Sequence, residues 1–166
     1  EKDLILHQIL TDLSQDEFFS NNFVFKGGTC LTKCYLGYYR FSEDIDFTWK
    51  DQSVYQSKSQ TKIRGLLSET IDKAGSIFEG IAKKRALNFK CDKQDRHYVE
   101  LGGSNKMCTF KIWYQAEMLN VESFVKVQMN FVEKLIFTPQ KGKLSALQCK
   151  QSDELAFLFP EYAEYC

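Results

Sequence analysis

The hydrophobic period of this chain shifts near residue 85, from two long helical stripes to a run of alternating segments, and that shift limits the folds open to it. Before it, apolar residues recur every three or four positions. Residues 3–14 carry Ile5, Ile9 and Leu13 on one stripe, and residues 53–82 carry Ile63, Leu67, Ile71, Ala74, Phe78 and Ile81 in the same way. Two amphipathic helices are predicted there. After the change the period drops to two, and residues 86–91, 97–101, 108–114 and 124–132 read as strands. Leu101-Gly102-Gly103-Ser104-Asn105 has the chemistry of a turn that closes a hairpin. Pro139 and Gly142 mark a loop, and residues 152–159 read as the beginning of another helix with Ser152 as its cap.

Between the two long helices lie three shorter pieces. Phe23 to Phe25 is a brief apolar run, the pattern Leu31, Cys34, Tyr35, Tyr38 is helical from Thr29 to about Tyr38, and Glu43 to Trp49 alternates as a strand. Helices mixed with strands predict an α+β chain (α/β-like), a mixed sheet flanked by helices. A chain of 166 residues suits one domain with a real core.

Charge does not identify a partner. Lys plus Arg and Asp plus Glu are balanced at 22 each, so any nucleic-acid contact has to come from a local basic patch. No apolar run approaches the ~20 residues of a membrane span. No signal peptide is evident, which predicts a cytosolic protein with no membrane partner. The chain starts at Glu1 without Met, so a trimmed start is expected. The cysteines Cys30, Cys34, Cys91, Cys108, Cys149 and Cys166 include no Cys-x-x-Cys pair, and His7 and His97 lie far from them in sequence. Zinc is therefore not expected, and the thiols read as small buried hydrophobes, with Cys30 and Cys34 able to share a helix face.

Two segments carry the chemistry. Lys26-Gly27-Gly28-Thr29 follows the apolar run, and Ser42-Glu43-Asp44-Ile45-Asp46-Phe47 comes about one helix later. Glycines between a strand and a helix let a phosphate reach the backbone, and a helix start adds N–H donors and a positive dipole end. Gly-Gly alone is equally a plain turn, as at Gly102-Gly103. Asp44 and Asp46 are two apart on a predicted strand, so both face one way while Ile45 and Phe47 face the core. Paired carboxylates repel unless a cation lies between them. Magnesium, or manganese, suits an all-oxygen set that also touches phosphate. Taken singly, Asp-x-Asp is also a solvated strand face; beside the glycine loop it reads as a phosphoryl-transfer site.

Phe25-Lys26-Gly27-Gly28-Thr29-x-Leu31-x-Lys33 together with Arg40-Phe41-Ser42-Glu43-Asp44-Ile45-Asp46-Phe47 resembles the AbiEii/AbiGii toxin family, part of the DNA polymerase β-type nucleotidyltransferase superfamily. The match is strong over residues 23–48 and weaker over 124–137. It implies a nucleotidyltransferase-like domain over residues 1–150 and, over 151–166, the start of a helical region that is incomplete here. It implies that Lys26, Gly27, Gly28 and Thr29 hold a nucleoside triphosphate and that Asp44 and Asp46 bind magnesium. Lys33, one turn into the helix, reads either as a phosphate ligand or as a surface lysine. Arg40 and Ser42 match the motif, Arg40 as phosphate contact or structural ion-pair partner.

The superfamily draws a third acid from a later strand. In Phe124-Val125-Lys126-Val127-Gln128-Met129-Asn130-Phe131 the polar residues share a face, and Gln128 stands where relatives carry an acid. An amide adds no charge and accepts no proton, so nucleotide binding with weak transfer is expected. The resemblance implies a toxin that modifies a hydroxyl of RNA, tRNA in particular, or of a protein side chain, and that is paired with an antitoxin protein. The alternatives are a catalytically weakened nucleotide-binding or interaction module and a metal-dependent nuclease, the latter having no triphosphate for the glycine loop to cradle.

Overall fold

Alternating side chains give the central strands of a seven-stranded sheet one dry face and an opposite, wet face that opens at Asp44, Asp46 and the polar side of Met107–Ala116 and Val121–Asn130, while Val24 and Thr48 on it stay buried. The computed structural model describes residues 1–36, 43–117, 119–144 and 157–159. Among these the strands are β1 (Phe23–Lys26), β2 (Asp44–Trp49), β3 (Val99–Gly102), β4 (Met107–Ala116), β5 (Val121–Asn130), β6 (Gln140–Gly142) and β7 (Phe157–Phe159). Their order across the sheet is β3-β4-β5-β2-β1-β7-β6. The β2–β5 and β1–β7 pairs are parallel and the rest antiparallel. This is the mixed sheet with helices that the alternation predicts.

The helices are α1 (Lys2–Gln15), α2 (Glu17–Asn22), α3 (Gly27–Cys30) and α4 (Gln60–Lys84). The dry face is formed by Phe23 and Phe25 of β1, Ile45 and Phe47 of β2, Phe110 and Ile112 of β4 and Val125 and Val127 of β5, all fully buried. Leu6, Ile9, Leu10 and Leu13 of α1 and Leu67, Ile71, Ala74 and Phe78 of α4 join the same core. Aromatic edges link the layers: Phe19 of α2 lies 5.4 Å from both Phe47 and Phe78, and Phe78 lies 5.3 Å from Phe110. Each such ring contributes roughly 1.5–3 kcal/mol by leaving water. No described helix is long and apolar enough to cross a membrane.

Several local expectations need correction. The long helix begins at Gln60, not residue 53, because Ser57 has φ +59° and Ser59 caps the helix by accepting from the Lys62 amide. Residues 86–91 are not a strand: Ala86 has φ +54° and only Asn88 forms a bridge, to Trp113. The helix expected from Thr29 starts earlier, at Gly27, and continues as a π-helix over Leu31–Leu36. Residues 140–142, expected as loop, and 157–159, expected as helix, are short strands, and Leu158 pairs in parallel with Val24 on the side of β1 away from β2. Residues 152–156 lie outside the described residues.

Candidate active site

Gly27 is the first residue of α3 and sits against β2. Its φ is +78°, and a Cβ there would lie 2.1 Å from Asp46 Oδ2. Both the backbone twist and the contact demand glycine. The helix start, whose first amides have no intrahelical partner, is thereby held against the Asp46 carboxylate. Thr29, expected as a nucleotide contact, is buried, and its hydroxyl donates to the Asp44 carbonyl. It pins the helix start to β2. The Gly28 carbonyl accepts from the Thr32 hydroxyl at 2.9 Å.

Asp44 and Asp46 alternate with the buried Ile45 and Phe47, which puts both carboxylates on the wet face. Neither carboxylate has a hydrogen bond or ion pair among the described residues. Burial raises the Asp46 pKa, and repulsion from Asp44 and Glu133 adds to it against the attraction of Lys26 and Lys126. Register completes the row: Asp44 stands opposite Lys126, and Asp46 stands between Gln128 on β5 and Lys26 on β1. Gln128 therefore lies beside Asp46 on the wet face, in the position of the expected third acid.

The Lys26 ammonium, at the end of β1, is bound by Glu133. Glu133 was not foreseen from the sequence. It lies on the turn after β5, where the Asn130 side-chain oxygen accepts from the Val132 and Glu133 amides at 3.1 Å each. Its carboxylate also accepts from the Thr48 hydroxyl at 2.9 Å. Burial pushes the Glu133 pKa up, but the bonds from Lys26 and Thr48 outweigh it and hold the group below its ordinary value. The only sequence signal was an Asn-x-x-Glu turn just beyond the strand that pairs with the aspartates.

Lys33 is not brought to the aspartate pair. It is 1% exposed, and its ammonium lies 3.1 Å from Asp3 of α1, while burial lowers its pKa. Arg40 and Ser42 lie outside the described residues. Cys30 and Cys34 do share a helix face, with sulfurs 3.8 Å apart, and Cys91 and Cys108 are likewise free thiols.

The donor set suits a hard divalent cation: two carboxylates and an amide oxygen, with no sulfur or imidazole among them. Among the described residues no three His, Cys, Asp or Glu side chains gather into a metal-binding group. Asp44 and Asp46 would thus be its protein ligands, leaving other positions to phosphate and water, as magnesium commonly does.

Two comparisons with known proteins return a match. A family described as "Nucleotidyl transferase AbiEii toxin, Type IV TA system" matches residues 8–147. The crystal structure of JHP933 from Helicobacter pylori is similar over 98% of this chain and 52% of that one, at 16% identity and a TM-score of 0.48. The chain thus spans about half the length of that solved protein. No curated protein matches.

Proposed function

The chain belongs to the AbiEii nucleotidyl transferase toxin family, and on that premise we propose that it moves a nucleotidyl group from a nucleoside triphosphate to a hydroxyl of RNA, with magnesium at Asp44 and Asp46. tRNA is one such acceptor and a protein hydroxyl is the other class. An antitoxin protein is the expected partner of the toxin. In the transfer the acceptor oxygen bonds to the α-phosphorus, the bond to the β-phosphate oxygen breaks, pyrophosphate leaves, and the acceptor proton goes to a base or to water. Bound magnesium would neutralise charge developing on the phosphates. The chain's own parts do the rest. The Gly27-Gly28 helix start offers backbone amides to phosphate. Lys26 presents an ammonium that an arriving phosphate can take from Glu133.

The observation that carries this reading is the 2.1 Å clearance at Gly27. A side chain there is excluded, so the helix start lies directly against the Asp46 carboxylate. Calorimetric titration of each triphosphate with magnesium, followed by incubation of labelled triphosphate with total RNA, tests it. Saturable, magnesium-dependent binding and label in RNA are expected. A protein that binds no triphosphate under those conditions would sink the reading.

Gln128 at the register position of Asp46 favours a second reading, a module that binds nucleotide with little or no transfer. Binding without label in either RNA or protein is the outcome that selects it.

A further inference from the structure

We infer that the wet face also carries a stacking platform for an unpaired base of a single-stranded RNA acceptor, built from His97, Trp113 and Phe124 beside Lys126. The inference rests on the transfer reading, since it supplies the acceptor end of that site.

The platform follows from register. Along β5, Phe124, Lys126 and Gln128 share the wet face, and Trp113 and Lys111 of β4 stand opposite Phe124 and Lys126. Two strand residues span about 7 Å. Phe124 is therefore about 13 Å from Gln128, and Gln128 is beside Asp46. The rings are close: Trp113 and Phe124 centroids are 4.7 Å apart, and His97 stacks on Trp113 at 4.1 Å with 4° between planes. The Trp113 indole N–H donates to the His97 carbonyl at 2.9 Å, which fixes the ring. Trp113 is half-buried and already contacts both His97 and Phe124, and the Tyr98 ring stands perpendicular to His97 at 4.6 Å, so the exposed His97 is the ring an incoming base meets.

Cations border the rings. The ammonium groups of Lys2 and Lys111 lie 5.9 and 6.0 Å from the Phe124 centroid. Lys111 is ion-paired to Glu100 at 2.6 Å, whereas Lys126 has no hydrogen bond or ion pair among the described residues. Aromatic faces for bases, with lysines for the phosphates between them, are the chemistry of single-strand nucleic-acid binding. A flat base is the partner that the parallel pair of His97 and Trp113 can extend, and a peptide acceptor has no such plane to add. Lys126 lies between platform and carboxylates, so a strand whose base stacks on His97 can lay its backbone past Lys126 and its terminal hydroxyl toward Asp44 and Asp46.

The test is titration of the protein with a short fluorescein-labelled oligoadenylate, read by anisotropy and by tryptophan quenching. Of the two tryptophans, Trp49 is 8% exposed in the core, so quenching reports Trp113. His97→Ala keeps the carbonyl that orients Trp113 and is expected to weaken binding about tenfold. Lys126→Gln is expected to weaken it severalfold and to lower the salt slope by about 1. The matching duplex is expected to bind less tightly. No oligonucleotide binding, unaltered affinity in both variants, or binding without quenching would each overturn the platform. Triphosphate titration of the unsubstituted protein is scored separately: its failure overturns the transfer reading, while the oligonucleotide titration alone decides the platform.

Discussion

Asp12, in the seam between α1 and α4, meets the Lys84 ammonium at 2.6 Å and the Arg85 guanidinium at 2.8 and 3.0 Å. Asp46, in β2, meets no donor among the described residues and faces Asp44 and Glu133 as neighbouring acids. Burial pushes both carboxyls toward protonation. At Asp12 the hydrogen bonds from Arg85 and Lys84 outweigh it and the pKa falls; at Asp46 nothing does and the pKa rises. One carboxylate is compensated by the scaffold. The other is left uncompensated, and a cation with its phosphates is what would complete it. On the function proposed above, stability rests on one aspartate and chemistry on the other, and each can be perturbed alone.

The largest effect is expected at the uncompensated site. Asp46→Asn should cost magnesium-dependent triphosphate binding and transfer roughly a thousandfold, on the order of 4 kcal/mol of lost charge stabilisation. Its melting temperature should equal or exceed that of the wild type, because a neutral amide relieves the repulsion. A variant that melts lower would break the comparison. Asp12→Asn should do the reverse, lowering unfolding free energy by about 1.5–3 kcal/mol, the worth of charge-assisted hydrogen bonds, with nucleotide affinity unchanged. Urea unfolding beside calorimetry reads both quantities.

Gly27→Ala sharpens the contrast by damaging both at once. The left-handed backbone costs about 1–2 kcal/mol for alanine, and the new methyl displaces Asp46, so stability and triphosphate affinity should fall together. Normal affinity in a folded Gly27→Ala protein would separate the loop from the site. Gln128→Glu moves the site further from compensation: manganese binding, followed by electron paramagnetic resonance, should tighten severalfold while the melting temperature drops slightly. Unchanged manganese affinity would remove Gln128 from the ligand row.

The smallest effect is in pH dependence. Asp12 holds its proton less tightly folded than unfolded, so its stabilisation is complete above about pH 4, the unfolded value, and is lost as pH falls through the lower folded value. Asp46 runs oppositely: its folded pKa is raised, so its contribution is present below about pH 4 and is lost as pH rises through the folded value. Asp12→Asn should therefore flatten the acid limb of a stability–pH curve, and Asp46→Asn should flatten the loss between pH 4 and neutrality. Superimposable curves for the two variants would show that the two carboxyls are not treated differently.

What was legible in the sequence was whatever depends on short range. The stripe of α4, the alternation of β4 and β5 and the spacing of Asp44 and Asp46 are periodicities, and the structure contains each of them. Gly27-Gly28 reads as a strand-to-helix turn for the same local reason, and α3 begins there. What failed depends on partners distant in the chain. Lys33 has the spacing of a phosphate ligand, but Asp3, thirty residues earlier, claims it. Glu133 looks like an ordinary loop acid until register sets Asn130 beside Thr48 and brings the following turn to Lys26. Residues 86–91 have strand composition, yet the left-handed Ala86 turns the chain after α4 and leaves one bridge. Residues 157–159 are a strand because the edge of β1 offers pairing, which no local propensity encodes.

The parallel pairing of β2 with β5 has a consequence in time. Asp46 is made with the first third of the chain, but its neighbour Gln128 joins it across a separation of 82 residues, as Asn130 joins Thr48. Contacts of such long range form late, after the loop-closure entropy of the intervening chain has been overcome. A ribosome-bound fragment ending at α4 can carry the glycine loop and both aspartates and still have no cleft. The row of Asp44, Asp46 and Gln128 therefore comes into being only when β5 is released and docks, so the making of the aspartates is separated from the completion of their surroundings by the folding of the protein itself.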